Sequence, residues 1–164
     1  NMDPLLPNLQ IVDTTVPKDR QQCLLKASKE AKSLASYNIR YEKSTVLDKR
    51  TACEEAKKRC WAVTSTPSEV QYLGQLHLNF GKYNGQSFKW LVENDVGYIN
   101  LLDLHIKECC HPDRKASQGD WVKDLLLRYV QLHPQVSCHL KINVDRAIYG
   151  QGCFRSFTFL EMWQ

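Results

Sequence analysis

Lys82 and Tyr83 stand between two glycines, Gly81 and Gly85, and Trp90 follows a short polar step later. A cation beside an aromatic ring on a tight turn can contact a phosphate and stack on a base. A second set of cations, Lys49, Arg50, Lys57, Lys58 and Arg59, is concentrated in one short stretch. Such a surface attracts polyanions by releasing their counterions. Together these seven residues are the candidate nucleic-acid contacts. Each also has a plainer reading. The cations suit a solvated helical face supported by pairs such as Glu54 with Lys58. Phe80, Phe88 and Trp90 suit a core, and Lys82 and Tyr83 suit a hairpin tip.

Other chemistries are less well supplied. Ile11-Val12-Asp13-Thr14-Thr15 resembles an Asp-x-Glu exonuclease start, but Thr15 stands where the glutamate belongs. Two-metal catalysis needs several carboxylates, and about 65 residues before Phe80 are too few for an exonuclease domain of ordinary size. His105 and Cys109 lie one helical turn apart, with Cys110 and His111 following and Cys138 and His139 further on. These are zinc-type ligands without the Cys-x-x-Cys pair of a structural site. No histidine or cysteine sits in a Gly-x-Ser-x-Gly or comparable local context. The expectation is a protein without catalysis, with no catalytic residue, no metal and no cofactor.

The elements that would position these residues are readable in part. Pro17 is placed near a helix start, and Leu24, Ala27, Ala31, Leu34 and Ala35 form a narrow apolar stripe, with Lys26, Lys29 and Lys32 opposite. Leu47, Ala52, Cys53, Ala56 and Cys60 form a second stripe, opposite the second cation set. Thr66-Pro67-Ser68-Glu69 reads as a capping box that opens a short helix ended by Gly74. Leu76, Leu78 and Phe80 alternate with polar residues, and Asn84-Gly85 is a hairpin signal with positive φ at both positions of a type I′ turn. Ser87 then caps a helix from Phe88 to about Glu93, and Asp95 caps another through His105. Ser117 or Asp120 starts a helix stopped by Pro134. Val136, Cys138, Leu140, Ile142 and Val144 alternate as a strand does, with a helix over 134–149 as the competing reading, and Cys153 to Trp163 reads as a second strand.

These elements predict an α+β fold, mostly helical, with a β-hairpin at about 76–86 and a C-terminal strand pair. Residues 1–16 read as a tail, 17–63 as a basic helical region and 64–164 as the α+β domain. The net charge is +4. Residues 16–60 carry a balance of +6, with twelve Lys or Arg against six Asp or Glu, and residues 61–164 hold ten of each. The surplus of positive charge is therefore confined to the basic region. Seven cysteines are an odd count in a chain too long to need a disulfide scaffold, which points to a reduced, intracellular setting, nuclear or cytoplasmic. No apolar run approaches the ~18 residues of a membrane span. The aromatic end, with Phe154, Phe157, Phe159 and Trp163, either folds back or meets another chain.

The run Leu78-Asn79-Phe80-Gly81-Lys82-Tyr83-Asn84-Gly85-Gln86-Ser87-Phe88, followed by Asp95-Val96-Gly97-Tyr98, resembles the short FGKYKG…F…DPGYL motif of the exodeoxyribonuclease X-like C-terminal family. Val96 replaces the usual proline, and Asn100-Leu101-Leu102 occupies the place of a tryptophan that often follows the tyrosine. The resemblance covers residues 78–102. It implies a setting beside nucleases and helicases, and no reaction. The partner expected is nucleic acid, DNA or RNA. The alternative is a protein-interaction or self-associating scaffold whose contact surface is the aromatic C-terminus.

Overall fold

Residues 3–37, 48–117 and 119–142 are described in a computed structural model. Among them the chain is helical and has no β-sheet. The helices are α1 (Lys29–Tyr37), α2 (Lys49–Trp61), α3 (Glu69–Gly74), α4 (Phe88–Asn94), α5 (Asn100–Cys109), α6 (Asp120–Gln131) and α7 (Pro134–Ser137), with 3-10 turns at Lys18–Arg20 and Val96–Ile99. This corrects the α+β expectation. Over 76–88 the chain does double back, with Leu78 N–H donating to Gln86 O, Gly85 N–H to Leu78 O and Phe88 N–H to Leu76 O. Only one bridge forms there, His77 with Ser87. Residues 79–85 are taken up by the turn, which leaves only a few residues on either side of it to pair between α3 and α4.

The alternation reports burial correctly at 76–78 and not beyond, since Asn79 and Phe80 are both half-buried. Leu76 and Leu78 are buried and His77 between them is exposed. The turn is not type I′, because Gly81 and Gly85 have positive φ and Asn84 does not. Beyond Pro134 the strand reading fails as well. Proline occupies the first turn of α7, where its fixed φ is suited and its missing N–H costs nothing. The alternation from 143 onward and the aromatic end lie outside the described residues.

Several starts and stops are also relocated. The N-cap of α3 is Ser68, whose hydroxyl and the Gln71 side chain complete a capping box. The first helix begins at Lys29, capped by Ser28 Oγ accepting from Ala31 N–H, so Lys26 precedes it. Asp95 caps no helix with its side chain, and Gly119 precedes α6 without a side-chain cap. Ser87 caps α4 as expected, accepting from Trp90 N–H at 3.0 Å.

Helix α6 is the spine of the core, burying Val122, Leu125, Leu126, Leu127, Tyr129 and Val130. Helix α3 packs on α2, α4 and α6. The same apolar cluster takes in Leu5, Cys23, Ala31 and the Cys53, Ala56 and Cys60 stripe of α2. Residues 3–16 are tied to it by Asn8 N–H donating to Glu93 Oε2 and by Gln71 Nε2 donating to Asp3 Oδ2. No helix among the described residues is long and apolar enough to cross a membrane.

Candidate nucleic-acid interface

Helix α2 exists because Asp48 caps it, its Oδ1 accepting from Thr51 N–H at 2.8 Å, and because Cys53, Ala56 and Cys60 bury one side. At 100° per residue, Arg50, Glu54, Lys57, Lys58 and Trp61 fall together on one flank of the helix, within an arc of about 100° that begins beside the buried stripe at Lys57. Arg50 and Lys58 are exposed and Lys57 is half-buried. Arg50 meets Glu54 at 3.3 Å with both side chains largely in water, a pair of little energetic weight. Lys49 is on the core-facing side and half-buried. Arg59 turns inward, and its Nη2 donates to Gln75 O at 2.6 Å. Two of the five expected contacts in α2 therefore leave the solvent side.

The residue missing from the expected set is Trp61, which is 59% exposed. The neighbouring Tyr72 is buried, and that burial pushes its hydroxyl pKa up. The sequence signal for Trp61 was available. Trp61 follows Lys57 by one helical turn and falls off the Cys53, Ala56 and Cys60 stripe, so the periodicity that identifies the core also ejects this ring from it.

Tyr83 is the main correction to the expected site. It is 1% exposed, not at a tip. Its hydroxyl donates to Asp95 Oδ2 at 2.6 Å, and its ring meets Trp90 and Tyr98 edge-on, at centroid distances of 5.2 Å and 4.9 Å. Lys82 Nζ lies 5.1 Å from the Tyr83 centroid and 5.2 Å from the Tyr98 centroid, a cation over two ring faces. A Cβ on Gly81 would collide with the Tyr98 hydroxyl. The motif residues Gly81, Lys82, Tyr83, Asp95 and Tyr98 are therefore one another's packing partners. In this arrangement Tyr83 has no face to offer a base.

The remaining chemistry-bearing groups do not converge. Asp13 Oδ1 accepts from the Thr15 backbone N–H and hydroxyl, and these bonds lower its pKa. His105 is buried, with Nε2 2.8 Å from Asp124 Oδ1. Cys109 Sγ lies 3.7 Å from both ring nitrogens of His105. A sulfur equidistant from the two cannot lie on either nitrogen's in-plane axis, so the contact is not a nucleophile–base hydrogen bond. His111 Nδ1 accepts from Asp113 N–H, and His139 Nε2 pairs with Cys23 O. Among the described residues no group of three or more His, Cys, Asp or Glu is arranged to hold a metal ion.

Beside Arg59, residues of α2, the 76–85 turn and Trp121 of α6 enclose a cleft of about 180 Å³. His77 stands on its rim, its pKa lowered by desolvation against the cleft walls and by nearby Arg59.

Comparison with family models, with curated proteins and with solved structures gives no match to this chain.

Proposed function

We propose that this protein is a nucleic-acid binding module that does no chemistry on its ligand, and that the solvent side of α2 is its contact surface. The observation that carries the reading is the arc of Arg50, Lys57 and Lys58, which also contains the exposed Trp61 of the helix's last turn. Cations there neutralise backbone phosphates, and the indole offers a π-face to a base or sugar. Lys29 and Lys32 of α1 are also exposed, and the charge surplus of residues 16–60 favours the same kind of partner. The likeness of residues 78–102 to a segment found beside nucleases agrees with this setting. Those residues support the fold; of their two lysines, Lys89 pairs with Glu93 and Lys82 lies over the rings of Tyr83 and Tyr98.

The experiment is a salt titration of binding to a short oligonucleotide, single-stranded and duplex. The expected result is affinity that falls steeply with salt, with a log–log slope that shrinks by about two in Lys57→Glu/Lys58→Glu. Trp61→Ala is expected to weaken single strands by about 1–3 kcal/mol and duplexes less. An absence of binding at low salt would overturn the proposal.

A further inference from the structure

The path of the last described residues leads to one helix. His139 Nε2 pairs with Cys23 O. Two residues later the backbone is fixed to α5, with Lys141 N–H and Ile142 N–H both donating to Asp103 Oδ1, at 2.9 Å and 3.1 Å. Leu140 and Ile142 pack against the core cluster. The chain is therefore tied down at Asp103, and residues 143–164 continue from that point.

The next residue of α5, Leu104, is 59% exposed. It lines an open groove of about 450 Å³ with Lys107, Glu108, His111 and Arg114. At 100° per residue, Asp103, Lys107, Leu104 and Glu108 follow one another around the helix within about 140°, so the anchor and the groove share a flank. The groove surface is mainly apolar, although Leu104 is the one apolar residue in its lining. The carbon stems of long side chains supply such a surface. Arg114 is held in place by two bonds to Asp120, each 2.7 Å. Lys107 and Arg114 give the groove two cations against the one carboxylate of Glu108. Cations beside an apolar floor favour the electron-rich faces of aromatic rings. A cavity of ~150 Å³ accepts a benzene-sized ring, so the groove has room for about two aromatic side chains.

The segment beyond the anchor has the matching chemistry. Residues 153–163 include Phe154, Phe157, Phe159, Leu160, Met162 and Trp163. So dense an apolar run needs cover. The stretch from Ile142 to Phe154 reaches about 40 Å when extended, and the groove opens one residue from the anchor, so the link spans it with slack. On a link of this kind the segment is present at an effective concentration on the order of millimolar. A second copy at micromolar concentration competes for the same groove at a disadvantage of about a thousandfold.

We propose that the aromatic segment 153–163 docks in the Leu104 groove of α5 within the same molecule. This contact is separate from the α2 surface and does not rest on the nucleic-acid reading.

Photo-crosslinking of the full chain with p-benzoylphenylalanine in place of Lys107 identifies the occupant. The expected product is a crosslink to residues 153–163 at the mass of one chain. Leu104→Gln is expected to reduce its yield about tenfold, because it removes the apolar floor while keeping a good helix former. Leu104 is exposed, so the variant is expected to fold as the wild type does. Chymotrypsin gives the second readout, with cleavage after Phe154, Phe157 and Phe159 expected to be about tenfold faster in Leu104→Gln than in wild type. A crosslink found only at the mass of a dimer would assign the groove to a second copy and overturn the proposal. The absence of any crosslink to 153–163 would overturn it as well. A crosslink yield and a cleavage rate that Leu104→Gln leaves unchanged would show proximity imposed by the link without docking, and the proposal would fall.

Discussion

The two ends of the 81–85 turn are built from similar parts and finished differently. Each has a glycine with positive φ, 70° at Gly81 and 90° at Gly85. At the Gly81 end the space is filled. Tyr98 lies against the glycine, Tyr83 lies against Tyr98, and the Tyr83 hydroxyl is satisfied by Asp95. At the Gly85 end a Cβ would meet nothing within 4 Å, and the neighbouring Asn84 side chain has a buried oxygen without a partner. Packing completeness separates structure from function here better than residue type does. The aromatic, cationic end looks functional in sequence and is structural in three dimensions. The plain Asn-Gly end has the unmet hydrogen-bonding capacity.

Alanine at the two glycines is the strongest way to break this contrast. Gly81→Ala adds a strained φ and a steric collision with the Tyr98 hydroxyl, and is expected to cost about 3 kcal/mol or more. Gly85→Ala adds the strained φ alone, at about 1 kcal/mol. Chemical denaturation of both variants measures the difference. Equal losses would show that the Gly81 end yields without cost and that the contrast is false.

Tyr83→Phe sharpens the same point one step further out. The variant keeps the ring contacts and leaves the buried Asp95 carboxyl without its phenol donor. Removing one partner of a buried hydrogen bond costs about 1–3 kcal/mol, more than the bond itself is worth. The expected result is a destabilised protein whose salt-dependent binding is unchanged once it is folded. A loss of binding without loss of stability would return Tyr83 to the contact surface.

What could be read in the sequence follows from range. The stripe of Cys53, Ala56 and Cys60 and the Ser87 cap are set by neighbours within one helical turn, and both are where their spacing put them. The burial of Leu76 and Leu78 was legible from alternation. The strand was not, because a ladder needs a partner strand and no local pattern supplies one. The capping box read from Thr66 to Glu69 is displaced by two residues, and Ser68 holds the cap because Gln71 completes its box. Tyr83 was misplaced because the partners that bury it lie well along the chain, Asp95 twelve residues on and Tyr98 beyond it. A lysine, an asparagine and two glycines around it read as a surface turn until those partners are in place. The cleft was illegible for the same reason, since α2, the turn and α6 each contribute to it.

The smallest expected effect concerns His77, at the open end of the turn. Its pKa is lowered in the folded protein, first by desolvation and then by Arg59. A lowered histidine pKa means that the folded state binds fewer protons than the unfolded chain between the two values. The associated stability is fully present above the ordinary value of 6.5 and is lost as pH falls from there through the folded pKa. His133, buried with Nδ1 facing Tyr129 O, is lowered mainly by desolvation and contributes with the same sign. Melting curves taken through this window are therefore expected to decline with falling pH for the wild type, and to decline less for His77→Gln and for His133→Gln; an equal decline in all three would show that neither histidine carries it.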